Sequence, residues 1–315
     1  MDIYGSGSKA WMGFMAAVLT AFMAGCGGGD EIFGITGGAA GSPGPAGPAP
    51  ALGALGAYGA FGGSGAAGMT NQGILTVITG AQGQPVSIGT TGASTTMTGF
   101  HDTTQPYTPP PAATGCSYTE TTLNIGRVDG TINTAAPPPN APFCPLEGTA
   151  TTFAAAQAAA AAALAAYNDL SPPARPGALV IPANLGGQTL APGVYTTASG
   201  AFLITGANLT LDAGGNANAV WVFQMASSLT VGEAAVPRSV ILAGGAQPKN
   251  VFWQVGSSAT INPSGGGTMV GTIIASAAVS FSTAGNAIVA TLNGRAVGLN
   301  ALVSLVNTVI NVPAP

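Results

Sequence analysis

Charged residues are almost missing from this 315-residue chain: Asp, Glu, Lys and Arg together make up 5%, against roughly 25% in an average soluble protein. Six Lys and Arg against ten Asp and Glu leave a net charge of −4. With no basic stripe, nucleic-acid binding is excluded as a reading. Aromatics are scarce at 6%, so a thick, round core cannot be filled. There is one histidine, His101, and there are three cysteines, with no CxxC and no ligand cluster, so no metal or cofactor is expected. Neither Gly-x-Ser-x-Gly nor a P-loop occurs. Gly62-Gly63-Ser64-Gly65 has no helix after it and carries no phosphate-binding reading. What is abundant is small: 49 Gly, much Ala, and 24 Pro. Such a chain can still bury a core if the fold is thin and repetitive, so that small side chains stack.

The beginning reads as an export signal. Lys9 precedes an uncharged run from Ala10 to Gly25, too short for a comfortable span of ~20 apolar residues, and residues 1–25 are read as a signal peptide. Met23-Ala24-Gly25-Cys26 resembles a bacterial lipobox with Met in place of the usual Leu. Lipidation of Cys26 is the expected outcome; ordinary secretory cleavage, with Cys26 incidental, is the alternative. Residues 26–50, Gly- and Pro-rich and aperiodic, read as a flexible tether. The layout is that of a protein displayed at the bacterial outer membrane or cell surface, held there through a lipid only. Cys116 and Cys144 remain. In an oxidising compartment they are expected to form a disulfide, which restricts the unfolded chain by roughly 3.6 kcal/mol.

Residues 51–315 read as one folded domain. Short apolar pulses such as Ile74-Leu75-Thr76-Val77-Ile78 are punctuated by glycine, as short strands are. Residues 103–148 are irregular and read as an insertion or end cap. Over 151–170 the composition turns to alanine, the best helix former, with Thr151 or Thr152 as N-cap and Ser171-Pro172-Pro173 as the stop. A helix of about 17 residues would be ~25 Å long, enough for the side of a five- or six-coil stack. Further on, the block Val220-Trp221-Val222-Phe223-Gln224-Met225-Ala226-Ser227-Ser228-Leu229-Thr230-Val231 is echoed at Asn250-Val251-Phe252-Trp253-Gln254-Val255-Gly256-Ser257-Ser258-Ala259-Thr260-Ile261. A fainter echo links Ala278-Val279-Ser280 with Leu302-Val303-Ser304. Recurrence at 20 to 30 residues marks a solenoid; a β-sandwich, with as many short strands, is the competing fold.

Several segments, in order, resemble the ice-binding-like family over residues 52–310. They are Gly186-Gly187-Gln188-Thr189-Leu190-Ala191-Pro192-Gly193-Val194-Tyr195, then Leu209-Thr210-Leu211-Asp212, Val220 to Phe223, and Lys249 to Thr260. Gly271-Thr272-Ile273-Ile274-Ala275 and Asn293-Gly294-Arg295-Ala296 complete the set. The helix ending Ala166-Tyr167-Asn168-Asp169 sits where the family has its long helix. The resemblance implies an irregular right-handed β-helix of triangular section, with that helix packed alongside one face. It implies an ice crystal surface as the partner and antifreeze or ice recrystallisation inhibition as the function. The 103–148 region departs from the family pattern.

An ice plane is flat, uncharged and regular, so a matching protein face needs small side chains, hydroxyls and few charges. Thr205-Gly206-Ala207-Asn208 and Thr283-Ala284-Gly285-Asn286 echo each other, and Thr95, Thr96 and Thr98 could add a rung. Thr205, Asn208, Thr283, Asn286, Thr95, Thr96 and Thr98 are therefore the candidate ice-binding residues, against the plainer reading that β-branched residues simply coat strands. No enzyme is expected. Asp212 and Glu233 could meet on adjacent coils as a glycosidase pair, but isolated surface carboxylates are commoner. Arg295 reads as a structural arginine near a turn, and Trp221 and Trp253 as core residues rather than a sugar platform. The second function class is a cell-surface adhesin or matrix scaffold, which low charge and exposed strand edges would also suit.

Overall fold

Alternation of apolar and small polar residues over three to five positions gives strands too short to stand alone, and they are stabilised by stacking. The computed structural model describes residues 45–63, 68–103, 120–137 and 148–314. The chain divides between Ala40 and Gly41, and all of these residues belong to the second part. The signal peptide, Cys26, Cys116, Cys144 and much of the 103–148 insertion lie outside the described residues.

The named strands pair in parallel and form three sheets that the chain visits in turn. The first sheet holds Leu179–Val180, Gly193–Thr196, Trp221–Met225 and Val251–Val255. Two long strands follow, Thr268–Ala275 and Ala290–Gly298, of eight and nine residues. Tyr58–Gly62, Ser87–Ala93 and Ile132–Ala135 complete it. The second sheet is seven-stranded: Phe202–Ile204, Leu229–Val231, Ala259–Ile261, Val279–Phe281, Val303–Leu305, Met69–Asn71 and Met97–Thr98. The third begins with Thr189–Leu190, Leu209–Asp212 and Val240–Ala243. Beside it on the same face, the long strands carry the first sheet round the corner to Thr308–Val312, Thr76–Gly80 and Gly126–Val128.

The long strands turn a corner: their first halves face one way and their second halves another. Gly271 (φ 101°) pairs with Gly294 at that bend. A Cβ on Gly294 would lie 1.8 Å from the Gly271 carbonyl oxygen, so no larger residue fits.

The architecture is a β-helix, as the echoed blocks imply, and the register matches them: Gln224 pairs with Gln254 and Thr230 with Thr260. The chain does not climb in one direction. Its N-terminal coils stack on its C-terminal coil, with Ala60 beside Ala296, Met69 beside Val303 and Val77 beside Val309. One buried cluster fills the space between the three sheets, and Trp221 and Trp253 lie fully inside it.

The helix runs Ala150–Asp169. It begins earlier than Thr151 or Thr152 would set it, because Thr149 is the N-cap and accepts from the Thr152 amide at 3.2 Å. Twenty residues give ~30 Å, and seven stacked strands span ~29 Å, so the stack is taller than the five or six coils expected. Ala156, Ala159, Ala163 and Ala166 form one buried stripe. They pack on Phe61, Val194, Val222, Phe252, Ile274 and Val297 of the first sheet. With only a methyl on each, the helix axis can come close. Gln224 fixes its end, donating to the Leu170 and Arg175 carbonyls at 2.9 and 3.1 Å. Packing extends upstream of the domain start expected at residue 51: Ala46 and Pro50 are buried, and Arg175 donates to the Ala46 carbonyl.

Burial pushes the Tyr58 and Tyr195 phenols up from 10.0 to about 12. A group protonated more tightly in the native state stabilises fully below its unfolded value and loses that contribution as pH rises through the folded one. The expected result is a melting temperature that declines between pH 10 and 12, less steeply in Tyr195→Phe. Thermal unfolding across that range checks it, and a profile flat to pH 12 would contradict the burial of both phenols.

Candidate functional site

The three faces differ in what covers them. The first lies under the helix. The third is polar but mixed, carrying exposed Ile241 and, at one end, Arg127 paired with Asp129 at 2.6 Å. The second is uncovered among the described residues, and none of its strands holds a charged residue.

Side chains alternate across a strand, so each three-residue strand of the second sheet buries two residues and turns the middle one outward. Register stacks these middle residues into a column: Leu203, Thr230, Thr260, Ser280, Ser304, Thr70 and Thr98. Thr98 Oγ1 donates to Thr70 Oγ1 at 3.2 Å. Two positions earlier in each coil a second column runs beside it: Ala201, Ser228, Ser258, Ala278, Leu302, Gly68 and Thr96. The backbone ladder extends beyond the strands: the Ser227 amide donates to the Gly200 carbonyl, Ser257 to Ser227 and Ala277 to Ser257, at 2.7 to 2.9 Å. Strand spacing of ~4.8 Å per rung gives the face a length of ~29 Å. Six of the seven residues in the main column are Thr or Ser, so a hydroxyl recurs at every rung but the Leu203 one, with a methyl beside it at Thr230, Thr260, Thr70 and Thr98.

At the corner toward the third sheet the columns stop. Gly232 (φ 84°), Asn262 (φ 44°) and Ser282 (φ 61°) take the left-handed conformation there and turn the chain inward. Buried Asn262 ties adjacent coils together, accepting from the Arg238 amide at 2.9 Å and donating to the Arg238 and Gly266 carbonyls.

Of the residues singled out from the sequence, Thr96 and Thr98 lie in the two columns, at one end of the face, and Thr95 is exposed in the turn before them. The other four sit in corner turns. Thr205 follows the strand Phe202–Ile204, and its amide donates to Asn184 Oδ1 at 3.2 Å. Asn208 Oδ1 accepts from the Ser239 amide at 2.9 Å. Thr283 Oγ1 and Asn286 Nδ2 both donate to the Pro263 carbonyl, at 2.7 and 2.6 Å. Thr205 and Thr283 stand three levels apart, ~14 Å. The two motifs echo each other as turns that tie coils together at the border of the face. Thr230, Thr260, Ser280, Ser304 and Thr70 were not singled out. Their signal was present in the recurring apolar–hydroxyl–apolar triplets Leu-Thr-Val, Ala-Thr-Ile, Val-Ser-Phe and Val-Ser-Leu.

The carboxylates do not assemble. Asp212 pairs in register with Ala243 and holds the Gly214 amide at 2.9 Å. Glu233 accepts from the Gly206 amide at 2.7 Å and pairs with Arg238 at 3.0 Å, and these contacts hold its carboxyl below the usual range. Among the described residues no cluster of His, Cys, Asp and Glu could hold a metal.

A sequence profile of the ice-binding-like family matches residues 64–311. An ice-binding protein of Flavobacterium frigoris (strain PS1) is 34% identical over 125 residues, 40% of each chain. One of Nostoc sp. (strain HG1) is 45% identical over 103 residues, 33% of this chain and 35% of that one. The matched stretches therefore span well under half of these relatives' own lengths. Among solved structures, the ice-binding protein of the Antarctic ascomycete Antarctomyces psychrotrophicus superposes with a TM-score of 0.58 at 28% identity, over 85% of this chain and 100% of that one. A domain of Shewanella frigidimarina ice-binding protein 1 gives 0.60 at 21% identity, over 84% and 98%, and bears on the fold alone. With the profile covering most of the sequence and the same β-helix in its structural neighbours, this chain belongs to the ice-binding-like family.

Proposed function

We propose that this chain binds ice and that the uncovered second face is the surface that meets the crystal. One observation carries the assignment: an in-register column of uncharged residues, six of its seven Thr or Ser, runs the full height of a seven-stranded sheet. A charged group holds its own hydration shell and would disrupt the ordered water between protein and crystal. Threonine and serine offer hydroxyls that join that water and, in threonine, methyls that exclude it. Thr96 and Thr98 extend the face at one end, while Thr205, Asn208, Thr283 and Asn286 border it. The relatives' names support the same ligand, and they include bacterial proteins; nothing in these likenesses supports the adhesin or scaffold reading. The family is named for ice binding, which agrees with a non-enzymatic role.

The finer reading places the domain outside the cell, on a lipid at Cys26 and a tether, where it would hold a cell against ice. Ice recrystallisation inhibition and crystal shaping by the purified chain from Gly27 onward test the ligand. Faceted crystals and small grains at micromolar protein are expected. Round crystals and unrestrained grain growth would remove ice binding and leave the fold intact.

A further inference from the structure

Two of the six cationic side chains, Lys249 and Arg295, line one groove of about 570 Å³. It forms where the segment before Tyr58–Gly62 crosses the corner between the third and first sheets, away from the second face. Arg295 stands on the strand Ala290–Gly298 beside Thr272. The residue is 4% exposed. Nη2 donates to the Gly56 carbonyl at 2.8 Å, and Nε is buried with no hydrogen-bond partner. Among the described residues, the ion pairs are His101–Glu120, Arg127–Asp129, Arg175–Asp169 and Arg238–Glu233, so no carboxylate answers Arg295.

A guanidinium does not shed its proton in proteins, and a buried charge is costly unless it is paired. Burial draws Arg295 down to about 10, still protonated at neutral pH. Among the described residues this cation therefore lacks an anionic partner. Leu52, Val220, Phe252 and Pro313 form much of the wall. A phosphate would lose its hydration against them, whereas a carboxylate with an apolar body would bury that body. The volume falls within the range of small-molecule sites, roughly 300–1,000 Å³.

We propose that this groove binds an organic monocarboxylate. Its oxygens accept from the Arg295 guanidinium and its apolar part lies against Leu52, Val220 and Phe252. The groove and the second face do not overlap, so both can be occupied together. A free acid and the carboxylate of a polypeptide present the same chemistry, and the test separates them.

The chain's arginines are Arg127, Arg175, Arg238 and Arg295, so the Nε–Hε region of a ¹⁵N-arginine spectrum is simple to assign through Arg295→Lys. Titration with millimolar sodium hexanoate is expected to shift the Arg295 signal saturably and leave the others in place. Hexanamide and inorganic phosphate are expected to do neither. By isothermal titration calorimetry, which does not need that signal, Arg295→Gln should weaken hexanoate binding at least about tenfold, and if that variant fails to fold, Arg295→Lys, with its charge retained, should still bind more weakly than the parent. A response seen only in a chain carrying added residues after Pro315 assigns the groove to a polypeptide carboxylate. No saturable shift of a visible Arg295 signal in either chain overturns the proposal.

Discussion

Thr260→Tyr is expected to abolish crystal shaping and most recrystallisation inhibition while leaving the unfolding transition almost unchanged. Thr260 is exposed at the third of seven levels, with Thr230 on one side and Ser280 on the other. Its side chain points away from the core, between Ala259 and Ile261, which are buried. A substitution there disturbs no packing, so the change in stability should stay within about 0.5 kcal/mol. Its effect on binding is of another order. Two rigid planes meet only as closely as their tallest protrusion allows, and ice cannot repack around a phenol as a protein partner could. One ring near the middle would hold the crystal away from rungs on both sides. Thr189→Tyr, exposed on the third sheet, is the matched control and should retain full activity. A joint Thr205→Tyr and Thr283→Tyr change at the border should cost less than Thr260→Tyr alone. Full activity in Thr260→Tyr, with the protein folded, would move the ice contact to another face.

The sequence made some of this readable and hid the rest for identifiable reasons. Register was legible wherever neighbouring coils are also neighbours in the chain. The aligned Gln224 and Gln254 are paired, as are Ser280 and Ser304. The closure was not legible. Ser304 continues to Thr70 and then to Thr98, and no local pattern announces that strands more than two hundred residues apart are partners, because contact distance leaves no trace in periodicity. The helix was plain from its alanines, but its start was not. A run with several threonines before it offers several caps, and only the fold selects Thr149. The site shows the subtlest confusion. A β-helix repeats polar residues for two purposes, to coat an outward face and to tie corners together, and both give an echo. Thr205 to Asn208 and Thr283 to Asn286 repeat because the corner repeats, whereas Thr230 and Thr260 repeat because the face does. The inward alternation around a residue separates the two, since Leu229 and Val231 flank Thr230 while Gly206 follows Thr205.

Trp253→Ala is expected to destabilise the protein by about 3–5 kcal/mol, far more than any change on the second face. Trp253 is fully buried and stacks on Phe223 at 4.1 Å between ring centroids and 9° between planes. Phe223 in turn stacks on Tyr195 at 5.5 Å and meets Phe202 edge-on at 5.9 Å. With large side chains scarce, this column joins three successive coils within the core. The indole nitrogen also donates to the Val270 carbonyl at 2.8 Å. Truncation would open a void between coils whose backbones are held by sheet hydrogen bonds and cannot close over it, and it would strand that carbonyl. Trp253→Phe separates the two losses. It keeps much of the stack and gives up the hydrogen bond, so it should cost about 1–3 kcal/mol. Urea unfolding measures both. In a stacked repeat each coil is stabilised chiefly by its neighbours, so the damage is expected to spread outward from the coil that also presents Thr260, and crystal shaping should fail at a lower temperature than in the parent protein. Equal stability of Trp253→Ala and the parent would show that the alanine- and glycine-rich coils cohere without their aromatic column.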